Sequence, residues 1–111
     1  MRLAASLLFL LAGCSSSSDQ QLAAVKQAHT LVAEWATVAR LHAEGRVSGT
    51  YARQMADDAR QQLATARAEL GASGDPAARL IDGLTRRAPD PARLAAAARG
   101  LGAMEQARAV R

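Results

Sequence analysis

From Asp19 to Glu44 neither Gly nor Pro interrupts the chain, and apolar residues return at helical spacing throughout. Wound at about 100° per residue, the stretch gathers Val25, Ala28, Leu31, Val32, Trp35, Val38, Ala39 and His42 on one broad face. Lys26, Thr30, Glu34, Thr37 and Glu44 fall on the other. A helix of this kind owes most of its stability to burying its apolar face, so it must pack on something. Few other arrangements are open to the chain, and all of them are helical.

The partner follows directly in sequence. Leu41-His42-Ala43-Glu44-Gly45-Arg46-Val47-Ser48 reads as a stop and a restart. Gly45 suits the left-handed residue that ends a helix, and Ser48 or Thr50 suits the cap of the next. A connection this short predicts an antiparallel hairpin. The second helix is expected to run to about Leu70 and stop at Gly71-Ala72-Ser73-Gly74. Ala52, Ala56, Ala59, Leu63, Ala66 and Leu70 alternate steps of four and three, a narrow seam of mostly small residues. Small side chains allow close approach, so the seam is expected to meet the Trp35 face, large against small.

Two shorter helices follow. Asp75-Pro76 opens one, because Pro is favoured at the first helical position, and Ala77, Leu80, Ile81 and Leu84 form its apolar face. Pro89-Asp90-Pro91 breaks the chain and restarts it with Asp90 as cap. Leu94, Ala97, Leu101 and Met104 then share a side, although Gly100 and Gly102 each cost about 1 kcal/mol of helix propensity against Ala. The expected fold is all-α: a small antiparallel helical bundle, a long two-helix hairpin closed by one or two shorter helices.

Composition limits what such a bundle can do. The chain has 111 residues, with one Trp, one Tyr and one Phe, so Ala must supply most of the apolar surface. A modestly stabilised domain is expected. The formal net charge of +4 comes almost entirely from Arg. Trp35 and Tyr51 are too few to build a stacking platform, which argues against nucleic acid as a partner. The carboxylates are scattered, and Gly71-Ala72-Ser73-Gly74 lacks the Gly-Lys-Ser/Thr ending of a phosphate-binding loop. His29 and His42 are too far apart on one helix to share a metal. No catalytic residue, metal or cofactor is expected, and the protein reads as a non-enzyme.

Four residues remain as candidates for interaction. Trp35 is foremost a core anchor, because little else here fills space. Arg53, Arg60 and Arg67 recur every seven residues beside the alanine seam. They read either as a strip that tracks anions or, more simply, as flanking charges paired with Asp57, Glu34 or Glu69.

The N-terminus carries the strongest functional signal. Met1-Arg2 supplies positive charge, Leu3 to Ala12 is apolar, and small residues lead into Cys14, the only cysteine. At 1.5 Å per residue the apolar run covers roughly 15 Å, half of a bilayer's hydrocarbon core, so it fits a signal peptide and not a span. Leu11-Ala12-Gly13-Cys14 resembles the lipobox of bacterial lipoproteins. The resemblance implies that signal peptidase II recognises Leu11, Ala12 and Gly13 and cleaves before Cys14. It also implies that Cys14 carries diacylglycerol and an N-linked acyl chain such as palmitate. Residues 1–13 are then the signal peptide, 14–18 a lipidated Cys with a Ser-rich tether, and 19–111 the helical domain. Ser15 after the cysteine, where the family has Asp for inner-membrane retention, implies the outer membrane facing the periplasm if the host is Gram-negative. The expected role is a lipid-anchored cell-envelope module, interacting or structural, whose partners are the membrane through its anchor and an envelope protein or the cell wall. The alternative is a small apolar-ligand carrier using a cavity beside Trp35, with His42 at its mouth.

Overall fold

The computed structural model describes residues 17–71 and 75–109. Cys14 and the lipobox lie outside the described residues. Four helices, and no strand among the described residues, make up the fold: α1 (Ser17–Ala43), α2 (Gly49–Leu70), α3 (Pro76–Arg86) and α4 (Pro91–Ala109). The protein is all-α. Helix α1 packs extensively on both α2 and α4, and smaller α2–α3 and α3–α4 contacts close the ring. Consecutive helices reverse direction, giving an up-down-up-down bundle.

Each helix end has a visible cause. At the end of α1 the Gly45 N–H donates to the His42 carbonyl (2.9 Å) and the Arg46 N–H to the Leu41 carbonyl (2.8 Å). With Gly45 at φ 73°, this is a Schellman ending that satisfies carbonyls the helix leaves open. Ser48 caps α2 by accepting the Tyr51 N–H at 3.1 Å. Asp75 caps α3 through the Ala77 N–H at 2.8 Å, just before Pro76. Asp90 caps α4 through the Arg93 N–H at 2.7 Å. The N-terminal boundary differs from expectation. Helix α1 already includes Ser17 and Ser18, two residues expected in the tether.

The core is apolar, and no polar or charged residue is buried among the described residues. Leu63, Leu70, Ile81, Leu94, Leu101, Val25 and Val32 are its largest fully buried side chains, drawn from all four helices. Alanine lets the helices approach closely: Ala24, Ala28, Ala66, Ala77 and Ala78 have no exposed surface. Trp35 is 4% exposed and belongs to the same cluster.

Three polar pairs tie helices together around this core. The Arg67 Nε–H donates to Asp82 at 3.0 Å, joining α2 to α3. His29 Nδ1 lies 3.0 Å from Glu105 Oε1, joining α1 to α4. Arg108, near the end of α4, donates to Asp75 at 2.6 Å, at the start of α3. The glycines of α4 sit where it approaches its neighbours closely. A Cβ at Gly100 would lie 3.2 Å from the Leu80 side chain, and one at Gly102 would lie 3.2 Å from the His29 ring. The propensity cost of both residues is the cost of that close approach.

Candidate functional site: a groove at the hairpin tip

Helix α3 has only 11 residues, against 27 in α1 and 22 in α2. The chain then turns over residues 87–90 and begins α4, whose Pro91 shares a shallow groove with Ala36 and Arg40 of α1. The end of the hairpin near Gly45 therefore lacks the covering that α3 gives the rest. A groove of about 410 Å³ lies there. Helix α1 contributes Trp35, Ala39, His42 and Ala43; α2 contributes Gly49, Ala52, Arg53, Ala56 and Arg60; the turn contributes Ala88 and Pro89, and α4 its first residue, Pro91. A volume of this size lies within the range that holds small ligands.

The walls are mainly alanine and proline, so they expose methyl groups and ring edges without offering a large apolar side chain. Among the described residues the one large hydrophobic side chain that is exposed is Tyr51, at 52%. Trp35 forms the floor, and the Arg60 guanidinium covers it, 5.2 Å from the ring centroid. This is cation–π geometry. Arg60 also reaches Asp57, one turn away, at 3.7 Å. His42 is exposed, and its Nδ1 lies 3.3 Å from the Val47 carbonyl oxygen. A carbonyl can only accept, so that nitrogen carries the proton.

The arginine stripe does not act as one surface. Arg67 is spent on Asp82 and on the Gly71 carbonyl at 3.4 Å. Arg60 lies on Trp35, and Arg53 is exposed at the groove's mouth. Of the pairings expected from sequence, Arg60 with Asp57 is present, while Arg67 takes Asp82 from α3 in place of Glu69. Side-chain exposures of 36% for Arg60 and 23% for Arg67 remove both from a solvated strip. The groove lies beside Trp35 with His42 in its lining, and its walls are mainly alanine and proline, the leucines and valines being in the core.

A larger groove, about 520 Å³, lies at the opposite end of the bundle among the starts of α1 and α3 and the end of α4. Of the charged residues in its lining, Asp75 and Arg108 are engaged with each other, and Asp19 is exposed. Burial alone would push the Asp75 carboxyl up, but the Arg108 hydrogen bond, the Ala77 N–H and the Arg108 charge together hold it below its ordinary value of 3.8. This end closes the fold, and its carboxylate and guanidinium are not left for a ligand.

Among the described residues no three of His, Cys, Asp and Glu group so as to hold a metal ion. No helix among them is long and apolar enough to cross a membrane. Sequence reasoning missed Asp82, Glu105 and Asp75 as partners. Only Asp75 carried a signal, as a cap. The chain matches no family model, no curated protein and no solved structure.

Proposed function

We propose that this protein is a lipid-anchored module of a bacterial cell envelope, working without catalysis through contact with an envelope protein or the cell wall. The observation that carries the reading is Leu11-Ala12-Gly13-Cys14, placed directly after a charged start and a short apolar run. The position of α1 supports it. Helix α1 begins at Ser17, three residues beyond Cys14, so an anchor there would hold the α1 start close to the bilayer. Twenty-odd helical residues at 1.5 Å each then carry the groove beside Ala39 roughly 30 Å outward. The anchored end would be the one closed by Arg108–Asp75, and the end presented to partners would be the open one. Two or more acyl chains on Cys14 give the stable attachment that one chain does not.

The test is metabolic lipid labelling of the wild type and of Cys14→Ala in the native host. The variant is expected to accumulate as uncleaved precursor without label; unchanged labelling would overturn the reading. In a host with two membranes, fractionation is expected to place the wild type in the outer membrane, with inner-membrane recovery counting against that assignment.

The groove favours a second reading, in which the module carries a small ligand beside Trp35. Saturable binding of a small amphiphile there separates this reading from pure contact.

A further inference from the structure

The hairpin-tip groove has an uneven chemistry that narrows what it can hold. Ala39, Ala52 and Ala56 line its length, Trp35 closes one end beneath Arg60, and Arg53 stands with His42 at the other. A Cβ on Gly49 would lie 3.6 Å from the His42 ring, and Gly49 and Arg53 are one helical turn apart, which brings His42 and Arg53 to the same mouth. No carboxylate lines the groove. Asp57, which pairs with Arg60, does so from a side chain that is 79% exposed. Arg53 makes no hydrogen bond or ion pair with any described residue. An unpaired guanidinium at the end of an apolar trough is complementary to an anion attached to an apolar body.

We infer that this groove binds a small amphipathic monocarboxylate, with its carboxylate on Arg53 and its apolar body laid past Ala52 and Ala56 toward Trp35. The inference rests on the carrier reading above. Arg53 and Arg60 are seven residues apart on α2, about 10 Å of helix, which suits an alkyl chain of medium length. A single negative charge suffices, because Arg60 is already engaged by Trp35 and Asp57.

Trp35 is the only tryptophan and lines this groove, so its emission responds to a ligand seated there. The experiment places the full chain on phosphatidylcholine vesicles and titrates octanoate, 1-octanol and octylamine, which share a chain and differ in the head. Octanoate is expected to shift Trp35 emission saturably and to bind about tenfold more tightly than octanol, the size of one charge-assisted hydrogen bond at a half-open site. Octylamine is expected to leave the emission unchanged. Arg53→Gln, at an exposed position, is expected to reduce octanoate to the octanol level with the melting temperature unaltered. Equal binding of octanoate and octanol would overturn the carboxylate inference and leave the carrier reading standing. Saturation by none of the three would overturn both. An octanoate preference that survives Arg53→Gln would overturn the placement of the head.

Discussion

The two ends of this bundle are built from the same alanine-rich alphabet and end in opposite states. Where α1, α2, α3 and α4 share one core, alanines such as Ala28 and Ala66 are fully covered, in the same cluster as Leu63, Leu101 and Ile81. At the hairpin tip Ala52 and Ala56 belong to the same seam, yet they stay partly open and line a groove. The difference lies in the length of α3. A small residue makes a tight core only when a third element supplies the large one; otherwise it makes a recess.

The polar groups divide in the same way. At the end where α1 and α3 begin, Asp75 and Arg108 have side chains only 13% and 23% exposed and satisfy each other. At the tip Arg53 is exposed and unpaired, and His42 bonds only to the adjoining turn. Asp75 and Arg108 are spent on the fold, whereas Arg53 is left to solvent or a ligand.

The most severe challenge to this contrast is Trp35→Ala, since Trp35 is the one large residue serving both regions. Its loss is expected to cost about 3–5 kcal/mol in denaturant unfolding. A variant as stable as the parent would mean that the ring serves the groove and not the core. Next in size is Asp75→Ala, which removes a helix cap and a shielded ion pair together and is expected to cost about 2–3 kcal/mol. The pH dependence provides an independent check. The Asp75 carboxyl is depressed in the folded state, so its stabilisation is complete above the ordinary carboxylate range and is lost as pH falls below about 4. Thermal unfolding of the wild type should therefore lose more stability below that pH than the Asp75→Ala variant does.

Enlarging alanines compares the ends directly. Ala66→Leu is expected to destabilise by about 1–3 kcal/mol through overpacking, whereas Ala52→Leu should stay within about 0.5 kcal/mol. Equal costs at both sites would mean that the tip is as closed as the core. The smallest effects concern glycine. Gly83 in α3 has open space where a Cβ would go, so Gly83→Ala is expected to raise stability by about 0.5–1 kcal/mol. Gly102→Ala is expected to show no such gain, because its Cβ would press on the His29 ring at 3.2 Å.

Helices, their ends and their faces were legible in the sequence because local physics sets them. Gly45, Ser48, Asp75 with Pro76, and Asp90 each act within a few residues of themselves, and every one of these stops and caps is present. The fold class followed from one long amphipathic stretch and a turn too short for anything but a hairpin. The start of α1 was less legible, since a run of serines permits a cap at several positions.

What only the tertiary structure decided is how those faces are shared. Arg67 finds Asp82 and His29 finds Glu105 across residues far apart in sequence, and periodicity on a single helix holds no information about such pairs. Gly100 and Gly102 look like defects in α4 until Leu80 and His29 are placed against them. The groove belongs to the same class. Its residues are spread over α1, α2 and the turn before α4, and it exists because α3 ends before it reaches the tip. Local propensity can say that Ala52 and Ala66 share a face of α2. Whether that face is covered depends on a length and a direction set elsewhere in the chain.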